Sequence, residues 1–213
     1  MESENYKIVK SFINEDERKS VVDWVSSLNQ SGQASNKHME RLAESLKGKA
    51  LMFNQSKNEL TNYISNFQAI SDVNTDEVPK FILDIQSRIA NHFNFPMDNI
   101  FFQAVDMPKS GSIGVHYDAS LTGFVNYKCN LSILSDDYNF YIDKETLRIS
   151  QGDLYGFEAS LYKHWTDEFK SRRIFLSFGF ILPYHILNRE SDEPRVRLSQ
   201  RIEKYFQNLK NIK

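Results

Sequence analysis

His116 and Asp118 stand one residue apart in the stretch GVHYDAS. In an extended segment over 112–117, residues i and i+2 project to the same face, so an imidazole and a carboxylate would converge on one point. Two histidines and one carboxylate on a single face are the ligand set that holds non-haem Fe(II) with positions left open. Two ordinary polar residues at a strand end satisfy the same short pattern. The chemistry therefore depends on a third ligand elsewhere in the chain.

Five histidines are present. His38 lies in a polar stretch that favours solvent. His92 falls near the end of a strongly amphipathic helix, where an imidazole suits the helix dipole. His185 follows the last strand. His164 is different: a turn and short strand, GDLYGF, precede it, and a loop delivers it. A second loop then leads to Arg173, the last charge before the apolar run IFLSFGFIL. A guanidinium at the head of a buried strand needs an anionic partner, and its planar fork suits a carboxylate. Asp153 or another protein acid fits that role, and so does a bound dicarboxylate. Arg172 is the rival of Arg173, because strand alternation turns only one of the two inward.

Helices and strands must position these groups. NEDERKSVVDWVSSLNQ opens with Asn14 and Glu17 at capping-box spacing and continues with an apolar stripe of Val21, Val25 and Leu28. A second helical pattern carries Leu60, Tyr63, Ile64 and Phe67. A third carries Val78, Phe81, Ile82, Ile85, Ile89 and Phe93 on one face and stops before Pro96. From Ile100 short segments rich in aromatic and β-branched residues alternate with turn signals. They predict strands at 100–106, 112–117, 124–134, 139–142, 146–149, 153–157 and 173–182. A last helix over 194–210 places Leu198, Ile202, Tyr205, Phe206 and Leu209 on one side. Helices, then a block of strands, then a helix gives an α+β chain, read as one domain over 1–213. Residues 1–97 form a mainly helical buttress and 98–185 a sandwich or barrel core.

The segment FVNYKCNLSIL, 124–134, alternates Asn126, Lys128, Asn130 and Ser132 with Tyr127, Cys129, Leu131 and Ile133. The apolar set must face a core. The polar set faces either water or a wet, ligand-binding barrel interior, and alternation alone leaves both open. The segment 135–147 is expected near the mouth of such a barrel.

Composition narrows the class. The 213 residues carry a net charge of −2, which gives no general footprint for nucleic acid or membrane surfaces. One cysteine, Cys129, excludes an intramolecular disulfide framework and fits a reducing compartment. The polar start and the lack of any long apolar run make a cytoplasmic location the expectation. The 16 Phe and 10 Tyr suit a β-rich core.

From Ile100 to Pro183 the sequence resembles the Fe(II)/2-oxoglutarate-dependent oxygenases, in the prolyl-hydroxylase-like branch. The carriers are His116-Tyr117-Asp118, the distal His164, Arg173 nine positions later, the lead-in MPKSGSIGVHYD and the strand RRIFLSFGF. The resemblance implies a double-stranded β-helix (jelly-roll, cupin-like) core with supporting N-terminal helices and a C-terminal helix. It implies that His116, Asp118 and His164 bind Fe(II), and that 2-oxoglutarate and O2 take the open positions. Arg173 would clamp the far carboxylate of 2-oxoglutarate, with Lys128, Asn130 and Ser177 as further cosubstrate contacts. Phe175 departs from branches that carry a hydroxyl two positions after the arginine. Gln103, Asn126 and Ser132 are the candidates for substrate contact.

The activity implied is hydroxylation of an unactivated C–H bond, with succinate and CO2 as co-products. Asp118 disfavours halogenation, for which the carboxylate ligand is absent in related enzymes. A small-molecule substrate such as an amino acid or metabolite is the first expectation, and a peptide or protein side chain the second. Oxidative nucleic-acid demethylases resemble this pattern less, since they carry a second arginine where this chain has Gly179. A non-catalytic cupin-like binding module is the remaining alternative.

Overall fold

A computed structural model of the protein describes residues 6–30, 68–70, 78–97, 100–107, 109–118, 120, 123–190, 193–197 and 200. In chain order the elements are β1 (Tyr6–Val9), α1 (Glu15–Gln30), β2 (Gln68–Ile70), α2 (Lys80–Phe93), β3 (Ile100–Met107), β4 (Phe124–Leu134), β5 (Tyr138–Ile142), β6 (Glu145–Ile149), β7 (Leu154–Glu158), β8 (His164–Thr166) and β9 (Arg173–Pro183). A 3-10 turn, Tyr184–Leu187, follows.

Local contacts set the start of α1 and the end of α2. At α1 the Glu17 N–H donates to Asn14 Oδ1 at 2.9 Å and the Asn14 N–H donates to Glu17 Oε2 at 3.1 Å, which satisfies two otherwise orphaned donors. Helix α2 ends at Asn94, whose left-handed backbone (φ 56°) reverses the chain. The second helical pattern, with Leu60 and Phe67, lies outside the described residues. Of the C-terminal helix, residues 194–197 and 200 are helical, and the rest of its apolar stripe also lies outside.

The strands form a six-stranded sheet, ordered β1-β7-β4-β9-β3-β2, and a three-stranded sheet, ordered β6-β5-β8. All the ladders are antiparallel. Each face of the large sheet has its own core. On the outer face, Val21 and Val25 of α1 and Ile82, Ile85 and Ile89 of α2 pack against Cys129, Leu131, Leu176 and Phe178. On the inner face, Met107, Tyr155, Phe157 and Phe175 meet Phe140, Ile142 and Leu147 of the small sheet. Gly156 marks a close approach between β7 and α2. A Cβ there would lie 2.8 Å from the Tyr127 ring and 2.9 Å from Phe93.

This two-layer arrangement answers the question posed by β4. Its apolar residues Tyr127, Cys129, Leu131 and Ile133 face the helices. Asn126, Lys128, Asn130 and Ser132 therefore point between the sheets, because successive strand residues alternate faces. Asn126, Asn130 and Ser132 are buried there.

Two expectations need correction. Residues 112–117 are not a strand: only an isolated bridge joins His116 to His164. Gly111, Ile113 and His116 bond the chain around β8 at separate points, so no continuous ladder forms. His164 is delivered not by a loop but by the short strand β8, which pairs with β5. Within 1–97, expected to be mainly helical, β1 pairs with β7 and β2 with β3 at the edges of the large sheet. Within 135–147, Ile142 pairs with His164 at the metal-ligand end, whereas 135–139 lie at the other end. They line a cavity of about 220 Å³ at the Arg173 end, with Phe169 and Lys170 opposite.

Candidate metal and dicarboxylate site

Three potential ligands meet at one end of the inner space. One ligand atom each from His116, Asp118 and His164 lies within 4.8 Å of the others. Asp118 Oδ1 is 3.3 Å from His116 Nε2 and 3.9 Å from His164 Nε2. Backbone bonds hold the two loop residues against the sheets. The His116 N–H donates to the His164 carbonyl at 3.2 Å, the return bond is 2.9 Å, and the Asp118 N–H donates to the Ala159 carbonyl at 3.0 Å.

The backbone also sets both tautomers. His116 Nδ1 lies 2.8 Å from the Gly114 carbonyl and His164 Nδ1 lies 3.1 Å from the Tyr162 carbonyl. A carbonyl can only accept, so each Nδ1 carries a proton and each Nε2 keeps its lone pair for a metal. Burial, reinforced by the neighbouring His116, lowers the His164 pKa to about 3, which keeps that imidazole neutral. Burial alone would raise the pKa of Asp118. The Lys128 ammonium, with the His116 and His164 side chains beside it, outweighs burial and holds the carboxyl well below its usual range. A neutral His164 and an ionised Asp118 are protonation states that suit a divalent metal.

Arg173 defines the other end. It is fully buried, on the inner face of β9. Its Nη2 donates to the Tyr138 hydroxyl at 2.6 Å and to the Tyr155 hydroxyl at 3.1 Å. Its guanidinium carbon lies 4.1–4.6 Å from the ring centres of Tyr138, Phe175 and Phe169. Such contacts contribute roughly 0.5–2 kcal/mol each, well short of the desolvation cost of an isolated buried charge. Among the described residues no acid pairs with Arg173, and its Nε and Nη1 have no hydrogen-bond partner. Asp153 is engaged elsewhere, by Lys10 at 2.7 Å and by the backbone of Ser150 and Ser11. Arg172 projects outward and grips Asp106 through two bonds of 2.9 and 2.7 Å.

Between the two ends lies a polar strip. Asn130 on β4 is in register with Ser177 on β9, and Gln103 on β3 is in register with the same serine. Asn130 Nδ2 donates to the Tyr155 hydroxyl at 3.3 Å, while its Oδ1 and Ser177 Oγ have no partner. Each unsatisfied buried polar atom costs about 1–3 kcal/mol. They cluster on one inner face, in a row from Arg173 toward the histidines. Cation, polar middle and metal-ligand triad in that order fit an elongated dianion held between a guanidinium and a metal.

The remaining candidates are distributed along this strip. Lys128 is at the metal-ligand end, not beside Arg173, and its ammonium pairs with Asp118 Oδ2. Asn126 is buried one turn of the pleat nearer the start of β4, where its N–H donates to Ser160 Oγ at 3.0 Å. Ser132 is not brought to the metal end. It lies toward Arg173, within 3.1 Å of Ser135 Oγ. Sequence reasoning missed Tyr138, Tyr155 and Phe169. Tyr155 alternates with Leu154 and Gly156 in a strand, so its inward direction was readable, but its partner was not.

No protein-family model matches the chain, and no curated protein matches it. Solved structures do. The chain is similar to a prolyl hydroxylase of Trichoplax adhaerens, solved with a hypoxia inducible factor oxygen degradation domain peptide fragment. That match has a TM-score of 0.58 at 15% identity, covering 87% of each chain. A prolyl-4-hydroxylase of Pseudomonas putida matches with a TM-score of 0.56 at 10% identity, over 83% of this chain and 92% of that one. A viral collagen prolyl hydroxylase of Paramecium bursaria Chlorella virus-1, solved as its 2OG complex, matches at 0.50 and 11%, over 84% and 96%. The chain thus has the prolyl-hydroxylase fold, an α+β double-stranded β-helix.

Proposed function

We propose that the protein is an Fe(II)- and 2-oxoglutarate-dependent dioxygenase that hydroxylates an unactivated C–H bond of a small molecule such as an amino acid or metabolite. One observation carries this reading. Two Nε2 lone pairs and one carboxylate oxygen converge at one end of an inner polar strip, and a buried arginine with unpartnered N–H groups closes the other. The unpartnered atoms and the donor set both fit the iron and cosubstrate that the fold implies.

His116, Asp118 and His164 would hold the iron, and Arg173 with the Tyr138 and Tyr155 hydroxyls would receive the far carboxylate of 2-oxoglutarate. When bound, iron and 2-oxoglutarate supply the oxidising power, with O2 reduced, 2-oxoglutarate converted to succinate and CO2, and one oxygen atom delivered to the substrate. The chain's own tasks are orientation and shielding. Gly114 and Tyr162 carbonyls fix the imidazole tautomers. Three protein ligands on one face leave positions for cosubstrate and oxygen. Phe140 and Phe157 lie 6.0 and 4.7 Å from the His164 ring and keep water from that side.

A second reading, a peptide or protein side chain as substrate, is favoured by the solved Trichoplax complex with a peptide fragment. A nucleic-acid substrate is disfavoured by Gly179, which stands in register with Lys128 where demethylases carry a second arginine.

The test is direct. Anaerobic addition of Fe(II) and 2-oxoglutarate to the purified protein should produce a metal-to-ligand charge-transfer absorption band, and admitting air should yield succinate. Absence of both leaves a non-catalytic binding module. A mass-spectrometric screen of metabolite pools and of peptide libraries for a +16 shift then separates the two substrate readings.

A further inference from the structure

Among the described residues, Lys128 is a charged group of the inner space whose ion-pair partner is a metal ligand. Its ammonium pairs with Asp118 Oδ2, while Asp118 Oδ1 is turned toward the two histidines. Asp118 is its one polar partner among the described residues, and an ammonium has three N–H donors.

Exposure orders the site from mouth to depth. The side chain of His116 is 33% exposed, that of Lys128 15% and that of His164 4%, while Arg173 is fully buried. Val115, beside His116, is 61% exposed. His116 is thus the most exposed of the site groups, and Lys128 is the cation nearest it.

The charge balance points the same way. Among the described residues, Asp118, Lys128 and Arg173 are the charged side chains in the row from the metal ligands to Arg173, and the acids Asp136, Asp137, Asp167 and Glu168 line the cavity beyond Arg173. Glu158 pairs with Arg189 and Asp106 with Arg172, both away from the row. One carboxylate against two cations leaves the row with an excess of one positive charge. Fe(II) adds two and the 2-oxoglutarate dianion removes two, so one positive charge remains beside the mouth. A poorly solvated excess charge is costly, and it favours a ligand that brings one negative charge. Gly179, in register with Lys128 on the neighbouring strand, adds no side chain to the space in front of it.

We propose that Lys128 anchors a carboxylate of the primary substrate, which makes the substrate class a small carboxylic acid such as a free amino acid. This rests on the dioxygenase reading above. The shared chemistry, a carboxylate at Lys128, could also come from the near end of 2-oxoglutarate, and the experiment separates the two.

Protein loaded with Mn(II) and 2-oxoglutarate under nitrogen is titrated calorimetrically with free amino acids and with their amides. At least one acid should bind at least about tenfold more tightly than its amide, as expected for a charge-assisted bond. Lys128→Gln keeps a donor for Asp118 but removes the charge. At saturating Mn(II) and 2-oxoglutarate it should lose about tenfold or more for the acid and leave the amide affinity unchanged, and Lys128→Arg should recover part of the loss. A thermal melt of each variant checks folding, and the acid-to-amide ratio of the wild type tests the proposal if a variant fails it. The proposal is overturned if no acid in the set binds, if acids and amides bind alike, or if Lys128→Gln leaves acid binding intact. A loss confined to 2-oxoglutarate assigns Lys128 to the cosubstrate and also overturns it. Failure of the wild-type protein to bind Mn(II) or 2-oxoglutarate is a separate signal and rejects the dioxygenase reading itself.

Discussion

Arg173 Nη2 donates to the Tyr138 hydroxyl at 2.6 Å while the guanidinium lies 4.1 Å from the centre of the same ring. One side chain thus both accepts from the arginine and packs against it. The tyrosine comes from the small sheet and the arginine from the large one, so the pair ties the two layers together behind the polar strip. Burial raises the Tyr138 pKa well above its usual value, so the phenol stays protonated.

Arg173→Ala should weaken 2-oxoglutarate binding by at least about tenfold, since a charge-assisted hydrogen bond contributes ~1.5–3 kcal/mol. Metal binding should survive. Arg173→Lys should recover only part, because an ammonium lacks the planar fork. Arg172→Ala should be mild by comparison, as Arg172 faces Asp106 on the other side of the sheet. Calorimetric titration of 2-oxoglutarate into Mn(II)-loaded variants checks all three.

Tyr138→Phe and Tyr155→Phe should each weaken 2-oxoglutarate binding about three- to tenfold, from the loss of one hydroxyl worth ~0.5–1.5 kcal/mol. The double variant should lose less than the sum of the two free energies, because the hydroxyls bond one another at 3.3 Å and share Arg173.

Metal binding should stabilise the fold in a ligand-dependent way. Mn(II) at about a hundredfold above its Kd should add about 2.7 kcal/mol to unfolding stability. His164→Ala should abolish that increment and the stoichiometric metal. Full metal occupancy in His164→Ala would remove this histidine from the ligand set.

Acid should destabilise the metal-free protein from the side of His164. Its folded pKa, about 3, lies below the ordinary 6.5. Between those values the unfolded chain binds the proton and the folded one does not, so stability is retained above 6.5 and lost as pH falls toward 3. The slope from one such group is at most about 1.4 kcal/mol per pH unit. Asp118, also depressed, adds its own loss only below the usual carboxylate range. Denaturant titrations from pH 7.5 to 4.5 should show the slope in the wild type and a shallower one in His164→Gln.

Gly156→Ala should cost about 1–3 kcal/mol, because the new methyl would press on the Tyr127 and Phe93 rings that join β7 to α2. Unchanged stability in a urea titration would mean that those rings move aside.

The sequence by itself determined the elements with strong local codes. The capping box at Asn14 and Glu17, the stripe of α2 and the eleven alternating residues of β4 all write their structure into neighbouring positions. It also determined the candidate ligands, because His116, Asp118, His164 and Arg173 are chemically distinctive and ordered along the chain. Where a decision required a partner, tertiary structure made it. Alternation split β4 into two faces, but only the packing of α1 and α2 on one of them turned Asn126, Lys128 and Asn130 inward. The stretch 112–117 has strand-like residues, yet a strand is a ladder, and β8 offers it only scattered bonds. Edge strands β1 and β2 exist because β7 and β3 each have an open edge, which no pattern within four or three residues can announce. Arg173 needed a partner by any reading. That two tyrosines, 35 and 18 residues away, take one N–H donor group and leave the rest for a ligand is a fact of the folded pair of sheets, since hydrogen bonds depend on distances that sequence order does not set.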